Sequence, residues 1–455
     1  MIMLSRRLLG QAVGALALVF GFAVPAFAAD GWVAAWVASA HGPYPSGNPS
    51  GQVVQDFVFP DAAQGARDQT FRMTVRPDLW GRTIRLRFSN AFGTQPLVLD
   101  GVFVGLQAAG GNVAPRTNQP VTFARARSVT IAPGATAWSD PVTLPFVRSA
   151  ADPLLAGRRL AVSVHAPGPT GPMTWHAKAL TTTYVTAPGG GSRGGDEGEG
   201  AFPYTSAAWF FLDMVDVMAP AGTMVVVAFG DSITDGTAST MNGDDRWPDV
   251  LSRRLHARYG TRVSVVNAGI GGNRVSSPAE YTPAQPYAGG PSALSRLERD
   301  VLQISGARVV VWLEGINDYA AGQTTEQIVA GFADGIRRLH ARNIRVVGAT
   351  LTTALGAQTA HGTPEVDAMR QRLNAWIRAP GNFDAVADFD EATRDPATGG
   401  LRPAFVPSSL GGPGDRLHPN RAGYQAMGEA IDLASLIGGP AQPARQPRSR
   451  VAAQR

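Results

Sequence analysis

The sequence predicts an all-β sandwich or jelly-roll-like domain followed by an α/β domain built on a three-layer parallel sheet. Three observations carry that reading. From about Trp32 to Pro220 the text consists of short alternating or β-branched runs cut by Gly and Pro turns. After Ala221 it changes to apolar strands alternating with amphipathic stretches, the rhythm of a parallel sheet covered by helices on both faces. A length of 455 residues, 44% of them hydrophobic, suits two or three domains with real cores.

Composition also excludes whole classes of function. There is enough apolar surface to offset the ordering entropy, so the chain is not disordered throughout. No run of about twenty apolar residues follows the N-terminus, which removes a multi-span membrane protein. With no cysteine, disulfide scaffolds, zinc ribbons, Cys nucleophiles and iron–sulfur sites are ruled out, leaving Ser, Thr, Lys or a carboxylate as nucleophile. A pI near 9.8 invites a nucleic-acid reading. Six of the 40 basic residues, however, are Arg6, Arg7, Arg445, Arg448, Arg450 and Arg455 at the two ends, where no acid stands, leaving 34 against 35 acidic residues between them. No basic stripe is left to follow a phosphate backbone, so no nucleic-acid partner is expected.

In chain order, residues 1–28 read as a removable export signal. A positive start precedes an apolar stretch from Leu8 to Val24 and a small-residue site Ala26-Phe27-Ala28, with Ser5-Arg6-Arg7-Leu8-Leu9 resembling a twin-arginine signal. The expected location is periplasmic or extracellular, with no stable membrane anchor once the signal is removed. Residues 29–220 form the β domain, with strands at Thr70 to Val75, Thr83 to Ser89, Val121 to Phe123, Ser128 to Ile131, Arg159 to His165 and Thr181 to Val185. The Gly-rich segment 188–200 is a flexible surface loop, its Asp196, Glu197 and Glu199 solvating it, and Trp209 to Val217 is the domain's last strand. The α/β domain takes 221–437, with strands at Met224 to Phe229, Val263 to Val266, Val309 to Leu313, Ile344 to Ala349 and Ala385 to Ala387. Thr324 and Gln327 make a capping box for a helix running to about His340, and Val366, Met369, Leu373, Trp376 and Ile377 share one helical face. Residues 438–455 are a disordered basic tail.

Active groups of a parallel sheet gather at the carboxyl ends of its strands. Three strands here are followed at once by small, polar text: Gly230-Asp231-Ser232-Ile233-Thr234-Asp235-Gly236, Asn267-Ala268-Gly269-Ile270-Gly271-Gly272-Asn273, and Glu314-Gly315-Ile316-Asn317-Asp318. Downstream, Asp415-Arg416-Leu417-His418-Pro419-Asn420 puts a carboxylate three residues before a histidine, just ahead of the last helix. A nucleophilic serine needs this inventory of nucleophile, base, base-orienting carboxylate and oxyanion donors. A serine after a strand is on its own usually a helix cap. The four blocks together outweigh that reading.

Gly230-Asp231-Ser232, Gly272, Gly315-Ile316-Asn317-Asp318 and Asp415-Arg416-Leu417-His418 resemble, in order, the four blocks of the SGNH hydrolases, or GDSL esterases/lipases, over about Met224 to Ile437. Arg246-Trp247-Pro248 and Asn267 to Arg274 further resemble a secreted bacterial branch with a preceding β domain, xylan-acetylesterase-like in character. The resemblance implies a flavodoxin-like three-layer hydrolase fold and a carboxylic ester hydrolase. It makes Ser232 the nucleophile, His418 the base and Asp415 its orienting carboxylate. Oxyanion donors are then the N–H groups of Ser232 and Gly272 and the side-chain amide of Asn317. Asp318 is expected as a cap on the segment after it, and Asp231 and Asp235 as structural hydrogen-bonding residues of the turn.

No cofactor is expected. Gly269-Ile270-Gly271-Gly272-Asn273-Arg274 has Arg where a dinucleotide fingerprint needs its third glycine, and the seven histidines show no paired spacing with carboxylates for a metal. Gly190-Gly191-Ser192-Arg193-Gly194 matches a nucleophile elbow by letter but lacks the strand–turn–helix context. Arg274 and Trp247 are the candidate substrate-binding residues, with Tyr281 and Tyr287 near the same rim; Trp247 equally fits a core position at a helix start. The expected partner is a small-acyl ester, with acetyl groups on a polysaccharide as the leading case. Alternatives are a lipase- or thioesterase-like hydrolase for longer chains and a catalytically idle carbohydrate-binding protein.

Overall fold

The computed structural model describes residues 30–47 and 55–437. The expected export signal and basic tail lie outside them.

Buried on both faces, parallel strands must be apolar at every position, and Met224–Gly230 is. It sits second in a five-stranded, all-parallel sheet of order Val263–Gly269, Met224–Gly230, Ala307–Leu313, Arg345–Ala349, Ala385–Ala387. That is the 2-1-3-4-5 order of a flavodoxin-like sheet, whose switch point lies between the first and third strands in sequence. Strand residues divide by parity. Val225, Val227 and Phe229 join one core with Phe332 and Leu339 of helix Thr325–His340 and Leu373 and Ile377 of helix Pro364–Arg378. Val226 and Ala228 join the other, with Leu251 and Leu255 of helix Trp247–Tyr259 and Tyr424 and Met427 of helix Arg421–Ala430. The expected capping box is present: the Thr324 hydroxyl accepts from the Gln327 N–H at 3.4 Å, and the Gln327 side chain accepts from the Thr324 N–H at 2.9 Å.

Ahead of this sheet the chain forms two main antiparallel sheets of five and seven strands and a small one of three. In the five-stranded sheet the first strand, Gly31–Val37, pairs with the last, Leu212–Ala219. Two expectations need correction. Trp209 to Val217 is not one strand, because Phe211 takes a positive φ of 61° and passes the chain from the small sheet (Trp209–Phe210) to the five-stranded one (Leu212–Ala219). The strand near Val121 to Phe123 is instead Gln119–Pro120, since positive φ at Ala124 and Arg125 turns the chain back after Phe123. The Gly-rich 188–200 segment is a surface loop whose carbonyls converge on a buried cation. Arg72 donates to Gly198 O at 3.1 Å and Arg193 O at 3.2 Å, and also to Asp196 O. Glu197 and Glu199 accept backbone N–H groups of Arg116 and Gly111 rather than only facing water.

One core runs from the β sheets into one face of the parallel sheet. Polar bonds reinforce the junction: Ser264 Oγ donates to Ala34 O at 2.7 Å, Ala34 N–H to Ser305 O at 2.9 Å, and the Asp78 carboxylate accepts from Val265 N–H at 2.6 Å. Among the described residues no helix is long and apolar enough to cross a membrane.

Candidate active site

The first strand of the parallel sheet ends at Gly230, and the chain turns at once into the short helix Ser232–Asp235. Only a residue without Cβ fits at Gly230, where an added one would lie 2.1 Å from Leu313 O. Asp231 caps the turn, its carboxylate accepting from the Ile233 N–H at 2.9 Å. This fixes Ser232 at the first helical position, over the switch point of the sheet.

The remaining residues arrive from distant segments. Ser232 Oγ lies 2.8 Å from His418 Nε2, and His418 Nδ1 lies 2.5 Å from Asp415 Oδ2. Asp415 closes its own loop by accepting the N–H groups of Leu417 and His418 at 2.9 and 2.8 Å. Its other oxygen is therefore aimed at the ring, and the spacing of three residues suffices. Ser232 is 4% and His418 9% exposed, so the pair is screened from bulk water yet reachable. Burial pushes His418 below the ordinary histidine value, against the upward pull of Asp415. Burial works against the Asp415 carboxylate, but the hydrogen bond and charge of His418 outweigh it and hold it below the usual carboxylate range.

Gly272 takes a φ of 81°, the left-handed region that favours glycine. Among the described residues neither its N–H nor that of Ser232 has an acceptor. Asn317 follows the third strand. One of its amide hydrogens goes to Asn273 O at 3.0 Å, leaving the second for a ligand, and its oxygen faces His361 Nε2 at 3.1 Å. His361 Nδ1 in turn faces Thr359 Oγ1 at 3.0 Å. Burial, then the charge of His418, lowers the His361 pKa, which suits a neutral ring that donates to Asn317 and accepts from Thr359. His361 went unnoticed in the sequence because nothing in its own neighbourhood signals that it meets Asn317. Asp318 does not cap the segment after it: its carboxylate reaches back to the Val275 N–H at 3.0 Å, stapling the third strand's loop to the second's. Burial raises Asp231 and Asp318 to about 7 and Glu314, behind them, to about 8.

Two arginines frame this rim. Arg296, 1% exposed, donates to Gly230 O at 2.9 Å, Ala268 O at 2.7 Å and Asn273 Oδ1 at 2.8 Å, binding both strand ends and the glycine loop together. Arg274 lies over the Tyr287 ring at 4.5 Å, and the Tyr287 hydroxyl donates to Gly272 O at 3.2 Å, so both stand beside the glycine loop. Trp247 leaves the set of substrate-binding candidates. It is 0% exposed and packs on Phe389 at 5.2 Å, because the first turn of its helix faces the sheet. Trp247→Ala should therefore cost about 3–5 kcal/mol in denaturant unfolding while the folded fraction keeps its kcat. Tyr281 also leaves the rim: its buried hydroxyl and its ring, 5.2 Å from Phe92, fill the junction with the β sheets. Gly190 to Gly194 lies in the surface loop, away from this site.

Such an arrangement can generate a serine alkoxide equivalent beside N–H groups left without acceptors, the requirements of acyl transfer. Residues 228–426 match the GDSL-like Lipase/Acylhydrolase family. No curated protein matches the chain. Solved structures similar to it include a member of the lipolytic protein G-D-S-L family from Veillonella parvula, at 18% identity over 46% of this chain and 95% of that one with a TM-score of 0.34. A GDSL-like lipase from Bacteroides thetaiotaomicron shares 20% identity over 47% of this chain and 88% of its own, TM-score 0.34. A carbohydrate acetylesterase family member from Sinorhizobium meliloti shares 18% over 46% and 94%, TM-score 0.33. At those scores they add no weight to the family match. With that match spanning the serine turn, the glycine loop and the His418 loop, the chain carries a GDSL-like lipase/acylhydrolase domain and is a carboxylic ester hydrolase.

Proposed function

We propose that the chain is an exported serine esterase that removes O-acyl groups, acetyl above all, from a carrier such as a polysaccharide, through a Ser-His-Asp triad and an acyl-enzyme. The observation that carries this reading is the continuous line from Ser232 Oγ to His418 Nε2 at 2.8 Å and from His418 Nδ1 to Asp415 Oδ2 at 2.5 Å. As Ser232 attacks the ester carbonyl, its proton passes to His418, and the imidazolium is stabilised by Asp415. The carbonyl oxygen, now an oxyanion, is held by the N–H groups of Ser232 and Gly272 and the free amide hydrogen of Asn317. Collapse expels the alkoxide, which takes the proton from His418. A water, deprotonated by the same ring, then releases the acid and restores the serine.

A second reading has its own support. Flanking the triad loop is a groove of about 500 Å³ walled by Leu355, Leu401, Pro403 and Val406, with Arg416 at its edge. Such walls suit a longer acyl chain, as in a lipase-like hydrolase. Hydrolysis of p-nitrophenyl acetate, butyrate and octanoate, with and without Ser232→Ala, separates the two. Ser232-dependent activity should be greatest on acetate; a maximum on octanoate transfers the conclusion to the groove, and no Ser232-dependent hydrolysis of any ester sinks both.

The base also predicts a pH profile. Activity needs neutral His418, so kcat/KM should rise with pH through a limb lying below the ordinary histidine value of about 6.5, because burial lowers this ring's pKa. Asp231→Asn, which keeps a good cap, should leave that limb in place and separate His418 from the nearby carboxyl. A flat profile from about pH 5 to 8 would count against a histidine base. Export rests on the N-terminal signal. Activity should accumulate outside the cytoplasm as a chain beginning at Ala29, and retention of the full N-terminus in the cytoplasm would refute it.

A further inference from the structure

The β domain sends a short segment, His176 to Lys178, under the serine turn. Lys178 is the only lysine of the chain and is 1% exposed; its ammonium donates to Thr237 Oγ1 at 2.6 Å. Thr237 belongs to the serine turn, its N–H bonded to Ser232 O at 3.0 Å. Beside it Asp235, 1% exposed, ties three pieces together. One carboxylate oxygen faces His176 Nε2 at 3.1 Å, and the other accepts the N–H of Gly271, the residue before Gly272, at 2.9 Å. His176 Nδ1 lies 2.7 Å from Ser39 O. With a carbonyl on one nitrogen and a carboxylate on the other, the ring bridges Ser39 and Asp235. His41, its Nδ1 accepting the Ala177 N–H at 3.2 Å, stands 3.9 Å from Asp235 through Nε2.

Resting on the triad reading above, we propose that the β domain completes the active site. His176 and Lys178 are positioning residues: His176 holds the serine turn and the glycine loop in register through Asp235, and Lys178 sets the electrostatic environment of the His418 base.

Charge supports this geometry. Burial disfavours an ionised Asp235, yet the charge and hydrogen bond of His176, with His41 and Lys178 behind, bring it down to about 2. It therefore stays an acceptor for Gly271 throughout the working range. The charged and titratable groups facing His418 are Asp415 on its own loop, Lys178 from the β domain, and His361 beside Asn317. A cation at Lys178 disfavours the His418 imidazolium, so removing it must raise the pKa of the base. Lys178 itself is lowered by burial, with Asp235 and Asp415 acting in its favour.

Full-length His176→Gln, Lys178→Met and Lys178→Arg are assayed on p-nitrophenyl acetate beside Ser232→Ala, with Tm recorded for each. His176→Gln should lower kcat about ten- to hundredfold with KM changed less than about threefold, the signature of misplaced catalytic groups. Lys178→Met should move the acid limb of kcat/KM to higher pH, and Lys178→Arg should return it. If these residues serve only to hold the two domains together, Tm falls while kcat per folded enzyme and the limb stay put, which overturns the proposal. Where Lys178→Met yields no folded protein, Lys178→Gln, which removes the charge but keeps a donor for Thr237, takes its place: an upward limb supports the proposal and an unmoved one overturns it. Activity that survives Ser232→Ala overturns the triad and this inference together. Loss in Ser232→Ala with an unmoved limb and an unchanged kcat overturns this inference alone.

Discussion

Ser232→Ala should lower kcat on p-nitrophenyl acetate by at least about a thousandfold while the unfolding midpoint stays where it was. The hydroxyl's one side-chain partner among the described residues is His418 Nε2, so its removal costs little packing. The turn itself is held by the Asp231 cap and by the bonds from Gly236 and Thr237 N–H to Ser232 O, none of which needs the hydroxyl. Any residual rate reports what the rest of the site does for attack by water without the hydroxyl. Steady-state kinetics with both proteins at matched purity decides the matter, and a variant within tenfold of the wild type removes Ser232 from the chemistry.

Arg296→Met should destabilise the protein by about 3–5 kcal/mol. Met keeps most of the aliphatic volume beside Phe229, whose ring lies 4.2 Å from the guanidinium, so the loss is polar. Gly230 O, Ala268 O and Asn273 Oδ1 would all lose a donor in a region closed to water, and Asp300 would keep only Arg299. Arg296→Lys should recover little, since a single ammonium cannot span acceptors on three separate segments. Because Asn273 also anchors Asn317, the folded remainder should turn over more slowly. Equilibrium denaturant unfolding measures the first effect; a loss under about 1 kcal/mol would mean the acceptors find other donors.

The parallel sheet was legible because strands buried on both faces must be uniformly apolar, and Met224 to Phe229 has no competing reading. The serine turn, glycine loop, Asn317 and the Asp415–His418 pair were legible because each directly follows a strand or precedes a helix, and their order matches a known set of blocks. Trp247 misled because its neighbours are polar and place it near the rim. Only the rotation of its helix, which no local pattern fixes, turns the indole inward. His176 and Lys178 looked like ordinary β-domain text, since their partners Asp235 and Thr237 lie 59 residues away and across a domain junction. Arg296 was hidden for a similar reason: a cation on a short amphipathic helix reads as solvent-facing until a tertiary fold brings three acceptors to it. Phe211 was missed because a bulky residue at positive φ is disfavoured locally and is stabilised only by the sheets it joins.

The pairing of Gly31–Val37 with Leu212–Ala219 has a bearing on the order in which the molecule is made. A ribosome delivers residue 31 long before residue 219, and Leu212–Ala219 lies between Gly31–Val37 and Thr83–Ser89, so the middle of the five-stranded sheet stays open until almost the whole β half has emerged. That last strand closes the sheet without calling on any residue of the parallel-sheet half. His41, His176 and Lys178 all belong to the half so closed, and His176 and Lys178 meet the turn that holds Ser232 only across the junction.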